Sequence, residues 1–130
     1  MPASERAVEL GLAAAQAAAD KLASDILLLD VSEQLVITDV FLLASAPSDR
    51  QVKAVVDEVE DRLREFGAKP VRREGTQEAR WVLLDFLDIV VHVQHEEERV
   101  FYALERLWKD CPVIEFTDRD VERSAGRKTS

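Results

Sequence analysis

The chain has 130 residues, of which 47% are apolar, and a net charge of −9 at pH 7; its length suits one domain with its own core. That charge disfavours direct, sequence-specific binding to nucleic acid and favours a partner with a basic surface. Cys111 is the only cysteine, which excludes an intrachain disulfide. Because no apolar run is long enough to span a bilayer and the N-terminus lacks the pattern of a signal peptide, we expect a cytoplasmic protein without a membrane partner.

The first residues predict a helix followed by two strands. Residues 4–23 are rich in alanine and carry apolar side chains at three- and four-residue spacing, as an amphipathic helix does. The apolar run at 26–31 has the length of a strand. Residues 37–45 are rich in branched and aromatic side chains, and a second strand is expected there.

The next segment carries the clearest helix signals in the chain. Ser48 and Gln51 form a capping box, which predicts a helix start. Apolar side chains then recur with helical spacing as far as Phe66, and Gly67 follows where a helix commonly ends. We therefore predict an amphipathic helix over 49–66 that packs its apolar side on a sheet.

Most of the remaining sheet is expected in the second half of the chain. An edge strand at 69–74 is predicted before two strands at 80–85 and 88–94, which are joined by a tight turn. A short strand at 113–116 would follow the last helix. Residues 117–130 are polar and charged, which predicts a disordered tail.

A final helix is predicted over 97–109, with Glu96–Glu98 at its start, where acidic side chains favour the positive end of the helix dipole. Four of its side chains share a stripe that should face the core, with Phe101 beside them: Val100, Leu104, Leu107 and Trp108. Tyr102 falls off this stripe, so it is expected at the surface.

Together these elements predict a layered α/β (α+β) fold, with a mixed sheet of about five strands flanked by three helices. The expected boundaries are a single domain over 1–116 and a tail over 117–130.

The stretch RWVLLDFLDIVVHVQ (80–94) places two aspartates and a histidine in an apolar run. Asp85 and Asp88 are three residues apart, whereas paired metal-binding carboxylates on a strand need a spacing of two. His92 and His95 would face opposite sides of a strand. No glycine-rich phosphate loop or serine elbow is present. We therefore expect no enzyme activity, no metal and no cofactor.

Three segments, read in order, resemble the family of ribosomal silencing factors RsfS, also called Iojap. They are DILLLDVSEQLVITDVFLLASAPSDRQVKAVVDEV, WVLLDFLDIVVHVQ and ERVFYALERLW, which fall within residues 5–110. The resemblance implies a fold related to nucleotidyltransferases without their catalytic motif. It also implies binding to the large ribosomal subunit through ribosomal protein L-fourteen. Such binding would block joining of the small subunit and repress translation in starvation or stationary phase.

The same stretches suggest where a ribosomal protein would bind, since aromatic and apolar anchors there lie beside acids. Eight residues are predicted to contact the partner: Trp81, Leu83, Asp85, Phe86, Leu87, Asp88, Gln94 and Tyr102. Three are predicted to support the site from the core: His92, Leu104 and Trp108.

Leu87 departs from the family pattern, which usually has glycine between an aromatic residue and aspartate. Three explanations stay open: a strained leucine at positive φ, an ordinary turn that merely tolerates glycine, or a leucine that reaches the partner.

The resemblance leaves two further expectations. Some family members crystallise as homodimers, so a weak dimer through the ribosome-facing surface is expected. The alternative function is a degenerate nucleotidyltransferase-like enzyme or nucleotide-binding protein, for which Asp85 would be the residue to test.

Overall fold

The computed structural model describes residues 2–119. Within them, the strands are β1 (Ser24–Asp30), β2 (Val40–Ala46), β3 (Arg72–Glu74), β4 (Trp81–Asp85), β5 (Ile89–His95) and β6 (Val113–Ile114). These six strands form one mixed sheet in the order β3-β4-β5-β2-β1-β6. Strands β2 and β5 run parallel, and all other neighbours run antiparallel. The predicted α+β fold with a mixed sheet is confirmed, with six strands where about five were expected. The helices are α1 (Glu5–Asp20), α2 (Asp49–Glu65), α3 (Glu96–Tyr102) and α4 (Leu104–Leu107).

One face of the sheet, which we call the helical face, is covered by α1 and α2. Helix α1 begins at Ser4, whose hydroxyl accepts a hydrogen bond from the Ala7 amide at 3.1 Å. Its small side chains bring it close to the strands, since a Cβ added at Gly11 would lie 3.2 Å from side-chain atoms of Leu28 and Val40. The alanine-rich sequence therefore allows dense packing on the sheet.

Helix α2 completes the core on this face and follows the sequence prediction. The Ser48 hydroxyl accepts from the Gln51 amide at 3.2 Å, so the predicted cap is present. Gly67 adopts a positive φ of 79° just after the helix, as expected of a glycine at this place. The apolar stripe of α2 is buried: Val52, Val55, Val56, Val59 and Leu63.

Strand β2 starts later than the sequence indicates. Its first pair with β5 joins Val40 to Ile89. Before it, the Asp39 amide and the Thr38 hydroxyl both donate to the Asp88 carbonyl, at 3.1 Å each. The predicted start at residue 37 is wrong because these bonds hold the preceding residues in a loop instead of the sheet.

The predicted final helix is broken into α3 and α4. Ala103 separates them with φ 46° and ψ 53°, a left-handed conformation that redirects the chain. The helical spacing therefore does not continue across it, and Val100, Phe101 and Leu107 are 80%, 79% and 73% exposed. The prediction that Val100 and Leu107 face the core is wrong for this reason.

The C-terminal residues extend the sheet and return to α1. Strand β6 pairs with the outer side of β1. Beyond it, the Gln16 side chain donates to Asp118 at 3.0 Å and accepts from the Arg119 amide at 3.0 Å. Of the tail predicted over 117–130, residues 120–130 lie outside the described part of the chain.

Candidate functional site: the aromatic face of the sheet

The second face of the sheet, which we call the aromatic face, carries Phe41, Trp81 and His92. It is made by the side chains that alternate with the buried ones of the helical face. Among the described residues, the short helices α3 and α4, the segment after them and the loop after β1 pack against it. Strand register sets three rows of side chains across β4, β5 and β2: Trp81–Gln94–Ser45, Leu83–His92–Leu43 and Asp85–Val90–Phe41.

Trp81 is fixed in place from two sides. Its indole N–H donates to Nδ1 of His92 at 3.1 Å, so the ring is oriented within the face. Gly75, in the loop before β4, has a φ of 76°, and a Cβ there would lie 2.1 Å from the Trp81 carbonyl oxygen. Because the loop approaches the strand so closely, only glycine fits. A partner would therefore meet the apolar ring of Trp81, whose N–H already has an acceptor.

Two aromatic contacts attach α3 and the end of α4 to this face. The ring centroids of Trp81 and Tyr102 are 4.8 Å apart, and those of Phe41 and Trp108 are 5.1 Å apart in an edge-to-face arrangement. Tyr102 remains 47% exposed, as its position off the helical stripe indicates. The start of α3 is capped by His95, whose Nδ1 accepts from the Glu97 amide at 3.1 Å.

Several buried polar atoms beneath this cover lack a hydrogen-bond partner among the described residues. They are Nε2 of His92, both amide atoms of Gln94 and Nη1 of Arg99. Such atoms are uncommon in folded proteins and destabilise them. Burial also lowers the pKa of His92 from 6.5 to about 4, so the imidazole is neutral at pH 7. The aromatic face therefore buries polar atoms without satisfying their hydrogen bonds.

The turn between β4 and β5 excludes one of the three explanations for Leu87. Leu87 has a φ of 74°, the left-handed region that costs a leucine roughly 1–2 kcal/mol. The Asp85 side chain accepts from the Leu87 amide at 2.9 Å, and the Asp88 amide donates to the Phe86 carbonyl at 3.0 Å. The turn does not have ordinary φ, so that explanation is wrong. Its leucine side chain is left exposed.

Most of the predicted contact residues lie on or beside the aromatic face. Trp81, Leu83, Asp85 and Tyr102 are at least partly exposed there. Leu87 and Asp88 are exposed at the turn that ends β4. Of the three supporting residues, His92 is buried in this face, whereas Leu104 and Trp108 are partly buried against its small core.

Two of the predicted contact residues are not at the surface. Phe86 is buried among the side chains of the helical face. It lies just after β4 and two residues beyond Leu84, so it points to the same side as Val82 and Leu84. Gln94 is fully buried, because α3 lies over this part of β5. Their predicted surface positions are wrong. Sequence reasoning also missed the exposed Val100, Phe101 and Leu107, since it assumed one continuous helix.

The side chains of Asp85 and Cys111 each make a hydrogen bond within the domain. Within residues 2–119, no cluster of three histidine, cysteine or acidic side chains could hold a metal ion. Cys111 is buried, its thiol donates to Gln34 Oε1 at 3.4 Å, and burial raises its pKa, which disfavours the reactive thiolate. Asp85 accepts from a backbone amide of its own turn.

A family model described as "Ribosomal silencing factor during starvation", RsfS, matches residues 4–130. The chain belongs to the RsfS family. The resemblance seen in the three sequence segments is therefore confirmed. Over 102 residues the chain is 46% identical to the ribosomal silencing factor RsfS of Bacillus subtilis (strain 168). The aligned region covers 78% of this chain and 86% of that protein.

Two crystal structures share the fold. One, from Bacillus halodurans, is 39% identical with a TM-score of 0.73, covering 83% of this chain and 98% of that one. The other, from Chromobacterium violaceum, is 35% identical with a TM-score of 0.75, covering 84% and 90%. The names of the RsfS relatives designate silencing factors of the ribosome and name no reaction. Among the described residues, no helix of this RsfS-family chain has the length and apolar character needed to cross a membrane.

Proposed function

We propose that the protein binds the large ribosomal subunit through ribosomal protein L-fourteen and that the aromatic face makes the contact. The bound protein would block joining of the small subunit by occupying the surface between them, and so repress translation in starvation or stationary phase. The proposed compartment is the cytoplasm. Membership of the RsfS family supports the ribosome as the target.

The observation that carries this proposal is the set of exposed apolar side chains on α3 and α4, the helices that pack on the aromatic face. Val100, Phe101 and Leu107 are largely exposed, and the ring of Tyr102 contacts both Phe101 and the partly exposed Trp81. Contiguous exposed apolar side chains commonly mark a protein interface, and tryptophan and tyrosine are frequent anchors. On the helical face, by contrast, the apolar side chains of the strands are buried beneath α1 and α2.

Charge supports the choice of a basic partner. The chain has a net charge of −9, and Asp85 and Asp88 lie at the end of β4 next to the aromatic face. A basic ribosomal protein would be steered towards this surface, and screening by salt would slow the encounter. We therefore expect the affinity for large subunits to fall as ionic strength rises, with most of the change in the association rate.

Co-sedimentation with purified large subunits tests the proposal. The double variant Trp81→Ala, Tyr102→Ala should bind at least tenfold more weakly, because it removes both aromatic anchors. Leu12→Ala, a partly exposed leucine of α1 outside the aromatic face, is the control and should bind as wild type does. Light scattering during subunit joining should show inhibition by wild type and by the control only. If the double variant stays folded and binds undiminished, the assignment of the aromatic face fails.

We further propose that the free protein forms a weak homodimer through the same exposed side chains, because a second copy can cover them in the absence of the ribosome. Sedimentation velocity should then show self-association that Tyr102→Ala reduces. A strictly monomeric wild type at every concentration used for binding would contradict the dimer and leave the ribosome contact standing.

No observation in the described part of the chain specifically favours the alternative, a nucleotidyltransferase-like enzyme. Calorimetry with nucleotide and magnesium should show no binding. Binding that disappears in Asp85→Asn would support the alternative.

A further inference from the structure

A second group of exposed apolar side chains lies at one end of the sheet, away from α3 and α4. Val36 and Ile37 are in the loop before β2, Val71 precedes β3, and Leu87 is in the turn after β4. Strand directions place these four positions at the same end of the sheet, because β2, β3 and β5 start at this end and β4 finishes there. We call this group the tip.

Hydrogen bonds to two aspartates hold the tip segments against one another. The backbone carbonyl of Asp85 accepts from the Val71 amide at 2.7 Å, and its side chain accepts from the Leu87 amide at 2.9 Å. The carbonyl of Asp88 accepts from the Thr38 hydroxyl at 3.1 Å, next to Ile37. The exposed apolar side chains are therefore displayed on a fixed backbone, which lowers the entropy cost of binding.

The tip carries negative charge beside Ile37 and Leu87, whereas the basic residues Lys69 and Arg72 lie near Val71 in the chain. Glu33 and Asp88 are exposed, and Asp39 is partly exposed in the loop that carries Ile37. A guanidinium nitrogen of Arg72 lies 4.0 Å from the Asp85 carboxylate. Ile37 and Leu87, with acidic side chains beside them, complement an apolar patch bordered by lysine or arginine.

The tip is continuous with the aromatic face. Asp85 belongs to the row of that face nearest the end of the sheet, and it bonds directly to Val71 and Leu87. A protein large enough to cover Trp81 and Leu83 on β4 would extend over this end of the strand. One partner can therefore occupy both surfaces.

We propose that the tip is a second anchor for the same basic ribosomal protein, with Ile37 and Leu87 entering an apolar patch bordered by basic side chains. This inference rests on the proposed function, since it takes the partner from there. It adds a contact by residues 36–37 and 71 that the aromatic face does not include.

Leu87→Gly is the most informative variant. It removes the exposed side chain, while glycine accepts the φ of 74° without strain. Binding to large subunits should weaken roughly tenfold, the size expected when one leucine is lost from an interface. The midpoint of urea unfolding should stay at or above that of wild type, so weaker binding cannot be attributed to unfolding.

Leu22→Gly is the matched control. Leu22 is also a leucine at positive φ, 61°, and it is 79% exposed against 58% for Leu87. It lies between α1 and β1, at the opposite end of the sheet. Its replacement should have a similar effect on the unfolding midpoint and leave ribosome binding unchanged.

Ile37→Ser provides an independent variant on the other loop of the tip, and it should also weaken binding several-fold. Wild-type affinity in both Leu87→Gly and Ile37→Ser would overturn the tip assignment. An equal loss in Leu22→Gly would also overturn it. Tip variants that change self-association of the free protein but not ribosome binding would overturn it in favour of a second copy of the chain. If wild type itself does not bind, the proposed function fails first.

Discussion

The helical and aromatic faces are made by alternate residues of the same strands, yet they are covered in different ways. On β4, Leu84 is fully buried beneath the helices, whereas its neighbour Leu83 remains partly exposed. The helical face is closed by two helices of 16 and 17 residues. The aromatic face is covered by helices of seven and four residues and keeps buried polar atoms unpaired.

This difference supports the proposal that the helical face serves folding and the aromatic face serves binding. Burial of apolar surface is the main source of stability, and the helical face contains most of it. The aromatic face contributes less to folding, so its exposed side chains are available for a partner. Substitutions on the two faces should therefore separate stability from binding.

The largest expected contrast is between two aromatic residues of the β4–β5 hairpin. Phe86→Ala removes a buried ring from the helical face and should lower the free energy of unfolding by about 3–5 kcal/mol. Trp81→Ala should cost less in stability but weaken ribosome binding by roughly 2 kcal/mol or more, as interface anchors do. Urea denaturation and co-sedimentation measure the two effects. A Phe86→Ala variant as stable as wild type would contradict the burial of the Phe86 ring in the core.

How far the sequence predicts the molecule differs between the two faces. The capping box, the stripe of α2 and the apolar strands predict the helical face, because local spacing and burial agree there. The two-residue spacing of Val82, Leu84 and Phe86 also places the Phe86 side chain on the helical face with the other two. The wrong prediction that Phe86 contacts the partner is therefore avoidable from the sequence alone.

The aromatic face depends on features that local patterns do not show. Ala103 breaks the last helix without a glycine or proline to signal it. The branched residues Val36 and Ile37 suggest a strand, but pairing with β5 begins only at Val40. Burial of Gln94 follows from where α3 comes to lie, which is a long-range contact. Tertiary structure therefore determines most of the site.

Adjacent leucines on β4 give the next largest contrast. Leu84→Ala should lower the free energy of unfolding by about 2–5 kcal/mol, since it leaves a cavity in the core. Leu83→Ala should cost under about 1 kcal/mol of stability, because its side chain is only partly buried. Under conditions in which both variants are folded, Leu83→Ala should weaken ribosome binding more than Leu84→Ala does. Equal destabilisation by the two would remove the distinction between the faces.

His92 should give the aromatic face a pH dependence. Its folded-state pKa is about 4, whereas an unfolded histidine titrates near 6.5. Between these values the unfolded chain binds a proton that the folded chain does not, so stability falls as the pH is lowered through this window, by roughly 3 kcal/mol in all.

Urea unfolding at pH 7 and pH 4.5 measures this contribution. His92→Gln, which keeps an acceptor for the Trp81 indole, should lose less stability than wild type over the same interval. Identical losses would show that another group is responsible.

The smallest expected effect concerns the cap of α2. Ser48→Ala removes the acceptor for the Gln51 amide and should lower the free energy of unfolding by about 1 kcal/mol. Ribosome binding should not change, because α2 lies on the helical face. Thermal unfolding and co-sedimentation measure the two quantities, and weakened binding by this folded variant would indicate a role of the helical face in recognition.

Hydrogen exchange of the free protein and of the protein bound to large subunits shows directly whether the aromatic face is the surface that meets the ribosome. Amides of α3 and α4 are expected to exchange readily in the free protein, because these short helices bury few side chains. Binding to large subunits should slow their exchange, while exchange in α1 and α2 should be unchanged. Protection of α1 and α2 with no change over residues 96–107 would contradict the assignment of the aromatic face as the surface that meets the ribosome.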